Sequence, residues 1–242
     1  MLVSHTAQFI FLKTLKTGGT SVELALQKLF LPQSVAKKQP LFEDESGIVG
    51  ARGEAPSHDT YWHHMTALEV YRKLGYQTFN RYRRISIVRN PFDKVLSQFF
   101  FRIHKPESFA ADKVKFNDYV RSAKRLPVDR QIYSIKKIIC CTHLMFYERL
   151  QEDFNAVLRD LSNGAQRELE LGRHKSGFRD KSIPYQDYYE PDSRDLVAKA
   201  FDFELETFGY SFGDEPAAQT LARVKSGEQI VGEGAGLGQP GV

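Results

Sequence analysis

A short apolar run that passes through a glycine-containing polar loop into an amphipathic helix constrains this chain more than any other feature, and it stands at Phe9–Leu26, FIFLKTLKTGGTSVELAL. Gln8 to Leu12 is aromatic and β-branched without amphipathic alternation, which predicts a strand covered on both faces. Val22, Ala25, Leu26 and Leu29 recur at helical spacing, so a helix is expected to begin near Thr20 or Ser21. Gly18 and Gly19 let backbone approach a ligand, and the free N–H groups of the first helical turn point at it. The positive end of the helix favours an anion, with Lys16, Thr17, Thr20 and Ser21 supplying charge and hydroxyls.

The same design recurs at Arg83–Phe101, RRISIVRNPFDKVLSQFFF. Ile85 to Val88 reads as a buried strand, Asn90 can cap, and Pro91 suits the first helical position. Phe92, Val95, Leu96, Phe99 and Ile103 share one helical face, which leaves Ser97 on the opposite side and free to meet a ligand. Arg89 falls at the carboxyl end of its strand, where open α/β sheets bind ligands, and its planar fork suits phosphate oxygens. The blander reading pairs Arg89 with Asp93 and puts Ser97 on a solvated face.

The order of residues in the first loop separates two kinds of phosphate cradle. A Walker A loop places its lysine after the glycines, next to a hydroxyl that holds magnesium; here Lys16 precedes them. That order resembles the 5′-phosphosulfate loop of sulfotransferases that use 3′-phosphoadenosine 5′-phosphosulfate (PAPS), above all the carbohydrate, heparan-sulfate-2-O-type branch, whose loop commonly reads Pro-Lys-Thr-Gly-Gly-Thr-Ser. Leu15 occupies the proline position, which shapes the approach and carries no chemistry. The second segment resembles the family's 3′-phosphate motif, and Phe146–Asn155 and Tyr188–Phe212 are similar to later pieces of the fold, so the likeness runs from about Gln8 to Phe212.

The resemblance implies an α/β, P-loop-like sulfotransferase fold, a central parallel sheet flanked by helices. It also implies that Lys16, Thr17, Gly18, Gly19, Thr20 and Ser21 hold the 5′-phosphosulfate and that Arg89 and Ser97 hold the 3′-phosphate. Lys16 would offset charge on the departing bisphosphate, and PAPS would be the co-substrate with no metal required. Family members that sulfate glycans often carry a histidine base, for which His64 matches best and His63 is the fallback; Glu69 or Glu23 would be carboxylate alternatives. A neutral imidazole suits that role, although His64 could equally cap the following helix. Lys175 would be a basic residue closing over the 3′-phosphate, while His5, His58, His104, His143 and His174 stand in no motif. A nucleotide-dependent kinase and a non-catalytic protein that binds PAPS or polysaccharide remain as alternatives; the first lacks a lysine after the glycines, and the second would not need Lys16.

With 242 residues, the chain can bury one substantial core. Residues 1–213 are expected to form a single sulfotransferase domain, followed at 214–242 by a Gly-rich, disordered tail. A net charge of +4 without a dense basic block favours an anionic cofactor or acidic glycan over nucleic acid. Cys140 and Cys141 are adjacent in a strand expected over Cys140–Tyr147, where successive side chains diverge, so a mutual disulfide is not expected. No stretch approaches the roughly 20 apolar residues of a membrane span, and no leader pattern precedes the first strand. A soluble, bacterial-like cytoplasmic enzyme is the expectation. Residues 31–60 read as a long loop or lid, Tyr61, Trp62 and Tyr185–Tyr189 as aromatics that could stack on sugar rings, and the acceptor is a small molecule or glycan.

Overall fold

The computed structural model describes residues 1–36, 41–53, 60–165, 168–172, 179–180 and 182–213. The tail expected from 214 onward, Lys175, His58 and His174 lie outside these residues. Strand β1 (Leu2–Ser4) runs antiparallel to β2 (Phe9–Leu12), and helix α1 (Gly19–Phe30) follows the glycine loop. After α2 (Pro32–Ala36), β3 (Phe42–Asp44) and β4 (Gly47–Val49) form a hairpin, with β4 pairing with β1. Helix α3 (Ala67–Arg81), β5 (Arg83–Val88), α4 (Pro91–Ile103) and α5 (Phe109–Ser122) come next. A small hairpin of β6 (Ser134–Ile135) and β7 (Ile138–Ile139) precedes β8 (His143–Phe146) and α6 (Leu150–Leu161). Helices α7 (Pro191–Ala200) and α8 (Asp202–Phe208) complete the set.

The main sheet has the order β3-β4-β1-β2-β5-β8. Strands β2, β5 and β8 are parallel, with Phe11 opposite Ile85 and Ile87 opposite Met145. This is an α/β fold with helices flanking the sheet. On one face Phe9, Phe11, Ile85 and Ile87 pack with Val22 and Leu26 of α1 and Phe154 and Leu158 of α6. On the other, Ile10 and Leu12 meet Val70 and Phe79 of α3. All four β2 residues are buried, which is why that strand shows no polar alternation; each such side chain contributes about 1.5–3 kcal/mol. Helix α4 packs Phe92, Val95 and Phe99 against Phe116 of α5 and Val197 of α7, through the apolar stripe read from its spacing.

Two expectations need correction. Residues 31–60 are not simply a loop or lid, because β3 and β4 extend the sheet as antiparallel strands and make it mixed. Asp44 Oδ1 accepts from the Ser46 and Gly47 N–H groups at 2.9 and 3.2 Å, a short side-chain-stabilised turn. A Cβ on Gly47 would stand 2.1 Å from the Val3 carbonyl, so glycine permits the close approach of β4 to β1. These strands are three residues each, too short for alternation to register in the sequence. The strand expected from Cys140 begins only at His143: Cys140 N–H and Sγ turn instead to the Tyr133 carbonyl, closing the β6–β7 hairpin.

Candidate active site

The polar loops after β2 and β5 meet at the carboxyl ends of those strands, where their backbones are tied together. The Thr14 hydroxyl donates to the Ile87 carbonyl at 2.6 Å and receives the Thr17 hydroxyl at 2.8 Å. Thr17 is fully buried, so its hydroxyl is engaged with Thr14 and its backbone is what borders the site. Lys16 has φ +57°, a left-handed conformation uncommon for a side-chain-bearing residue. Gly18 (φ +73°) occupies the N-cap of α1, where a Cβ would fall 2.8 Å from Leu150 Cδ2. Helix α1 starts at Gly19, one residue earlier than read from the sequence, with no side-chain cap and no acidic residue in its first turn. No side chain takes up its leading N–H groups, an arrangement that favours an anion.

Arg89 ends β5. Its Nε and Nη2 donate to Asp93 Oδ2 at 3.0 and 2.6 Å, its Nη1 donates to the Lys16 carbonyl at 2.5 Å, and its plane lies 3.9 Å from the Tyr147 ring centre. The blander pairing with Asp93 is thus present, and it coexists with a position on the cavity wall. Asp93 also accepts from Arg179 Nη1 at 3.0 Å. Burial alone would raise the Asp93 pKa, but the two guanidiniums outweigh it and hold the carboxylate below its usual range.

A cavity of about 390 Å³ opens over these loops. Lys16, Thr17, Gly18, Gly19, Thr20, Arg89, Ser97, His63 and His64 all line it, joined by Lys13, Arg52, Gln98, Phe101, Tyr147 and Arg179; Ser21 does not border it directly. Lys16 Nζ lies over the Phe101 ring at 3.9 Å. Cations dominate the lining. Glu23 is fully buried behind Lys13, which it contacts at 2.8 Å, and meets Arg52 at 3.2 Å. Burial would raise the Glu23 pKa, yet the positive groups around it lower it.

The histidine pair follows the Ala51–Trp62 bridge. His64 Nδ1 donates to the Lys13 carbonyl at 2.8 Å and His63 Nδ1 to the Ala51 carbonyl at 2.7 Å. Each bond fixes the neutral tautomer with Nε2 unprotonated. Burial first, then neighbouring His63, pulls the His64 pKa down to about 3; burial also lowers that of His63. Thr66, not His64, caps α3: its hydroxyl accepts from Glu69 N–H while Glu69 Oε2 accepts from Thr66 N–H at 2.7 Å. Neither Glu69 nor Glu23 borders the cavity.

Other polar candidates fall elsewhere. His5 bonds Tyr82 at 3.0 Å, His143 meets Asp160 at 3.2 Å and His104 ends α4. Tyr61, Trp62 and Tyr185–Tyr189 lie outside the cavity lining, with Tyr188 and Tyr189 buried in the α4–α5–α7 cluster. Lys13, Arg52, Phe101, Tyr147 and Arg179 were not singled out from the sequence; only Arg179 had a signal, lying near the basic stretch where Lys175 was expected to close the site. Among the described residues, no group of three or more His, Cys, Asp or Glu could hold a metal ion, and no helix is long and apolar enough to cross a membrane.

Two strand-to-helix loops that meet at the carboxyl ends of parallel strands place this cavity where open α/β sheets bind ligands. A model of the sulfotransferase family matches residues 1–211. The chain therefore belongs to the sulfotransferase family, whose members transfer sulfuryl groups and normally take PAPS as donor. No curated protein and no solved structure matches it.

Proposed function

We propose that this enzyme transfers the sulfuryl group of PAPS to a hydroxyl of a carbohydrate acceptor by in-line displacement, residues 1–213 acting as one domain. The observation that carries this reading is the convergence of Lys16, Arg89, Ser97 and His64 on a single cavity from three separate segments. The residues fit the donor: a helix N-terminus without competing acid faces a wall of Lys13, Lys16, Arg52, Arg89 and Arg179. PAPS, when bound, supplies an activated sulfuryl group and a stable bisphosphate leaving group.

The chain's own residues supply position and charge. Thr17 to Thr20 offer backbone N–H groups and the Thr20 hydroxyl to the 5′ end, and Lys16 offsets negative charge on the leaving oxygen. Arg89 keeps N–H groups beyond the three engaged with Asp93 and Lys16, and with Ser97 and Arg179 these recognise the 3′-phosphate. His64 Nε2 takes the acceptor's proton. A lone imidazole with a pKa near 3 is a weak base, but anionic charge placed in the cavity favours its protonated form and raises that value toward the working range.

The test is calorimetric titration with adenosine 3′,5′-bisphosphate against ATP with magnesium, repeated on Arg89→Ala. Preferential bisphosphate binding that depends on Arg89 is expected, followed by sulfate transfer in a glycan screen. Preference for magnesium-ATP would overturn the proposal.

A further inference from the structure

We infer that Asp129 is a positioning residue for Lys16, holding the Leu15–Lys16 backbone where a proline ring would otherwise constrain it. This inference rests on the sulfotransferase reading of the site. Leu15 stands at the position that is proline in the loop the family commonly carries, and a proline has no N–H to give. Here the Leu15 N–H exists, and it donates to Asp129 Oδ2 at 2.6 Å across 114 residues of sequence. The other oxygen, Asp129 Oδ1, accepts from Lys94 Nζ on α4.

Both members of that ion pair are buried, Asp129 at 4% exposure and Lys94 at 5%. A buried pair contributes little net stability, because desolvation offsets attraction, so what it does for this loop is to fix the carboxylate in place. The consequence is visible one residue away. Lys16 adopts φ +57°, a backbone state that costs roughly 1–2 kcal/mol and persists only where the surroundings impose it. Asp129 holds the Thr14–Leu15 peptide, one peptide ahead of Lys16, and Arg89 Nη1 holds the Lys16 carbonyl, so the two anchors bracket the Leu15–Lys16 backbone. Asp129 is itself fixed, because its carbonyl accepts from Ile132 N–H at 2.9 Å in the turn at Arg130–Ile132.

The experiment replaces the pair by apolar groups of similar shape, Asp129→Leu with Lys94→Met, so that no buried charge is left alone. Turnover is expected to fall at least about 30-fold while the dissociation constant for adenosine 3′,5′-bisphosphate moves less than about 3-fold. Adding Leu15→Pro to that variant should recover most of the loss, since the ring restores the restraint. Wild-type turnover in the double variant, a loss seen equally in bisphosphate affinity, or no recovery from the proline would each overturn the inference. Amide hydrogen exchange gives a readout independent of activity. In the wild-type chain the Leu15 N–H should exchange slowly despite lying in a loop, and exchange at an open-loop rate would overturn the inference even if the variants failed to fold. Were the wild-type protein to bind no bisphosphate, the functional proposal alone would fall, and the exchange data would still decide the role of Asp129.

Discussion

At the scale of single residues, the proposed chemistry rests on Lys16 and His64, and neither is held by its neighbours in sequence. Lys16 borrows its left-handed backbone from Arg89, whose Nη1 binds its carbonyl, and its ammonium rests on Phe101. Lys16→Ala is therefore expected to lower kcat by about 10²–10³-fold with little change in bisphosphate affinity, as read by steady-state kinetics beside calorimetry. His64 owes its tautomer to the Lys13 carbonyl. His64→Ala should cost about 10²–10⁴-fold in turnover and leave donor binding intact; a variant that keeps its rate would move the proton to His63. Lys16, Arg89 and Ser97 were legible as candidates because two strand-to-helix segments carry them in recognisable order, and His64 because it stands where relatives often carry a histidine. Lys13, Arg52 and Asp129 were not, since each becomes part of the site only through partners 10, 29 and 114 residues away in sequence.

At the scale of elements, caps and glycines decide where helices start and what their first turns face. Helix α1 has glycine at its N-cap and no side chain covering its N–H groups, whereas α3 is closed by the reciprocal Thr66–Glu69 box and α4 by Asn90 with Pro91 behind it. Of these three, α1 alone has no side-chain cap, and its first residues line the cavity. Gly18→Ala combines a left-handed φ with a collision against Leu150, so a loss of about 1–2 kcal/mol in a urea unfolding titration is expected, with reduced turnover from the displaced loop. Thr66→Ala removes one half of a cap that does not border the cavity. Its expected cost is about 1 kcal/mol, with kcat unchanged, which separates loss of stability from loss of function. The apolar stripe of α4 was readable because a 13-residue helix repeats its pattern several times; strands β3 and β4 were not, because three residues cannot establish a period.

Across the whole molecule, the cavity gathers positive charge and two half-buried imidazoles at the carboxyl ends of β2 and β5. His64 has a folded-state pKa of about 3, below the value of roughly 6.5 for an unfolded chain. Between these values the unfolded state binds the extra proton, so the neutral ring contributes stability that is complete above about pH 6.5 and is lost as pH falls toward 3. The slope from this group approaches ~1.4 kcal/mol per pH unit. Thermal unfolding followed from pH 7 to pH 4 should show the decline, and His64→Gln should flatten it; an identical slope in the variant would assign the acid sensitivity to other groups. The amino-acid sequence by itself determined the local grammar of this protein: a strand buried on both faces, a glycine loop opening a helix without a side-chain cap, an arginine at a strand end, and a helix whose free face carries Ser97. These follow from spacing, propensity and backbone freedom over a few consecutive residues. Only the tertiary structure decided that β1, β3 and β4 would extend the sheet, that Arg89 would bridge Asp93 to the Lys16 carbonyl, and that Asp129 would take the N–H that Leu15 offers. Those outcomes depend on burial and on partners supplied by distant segments, which become neighbours only when the chain packs.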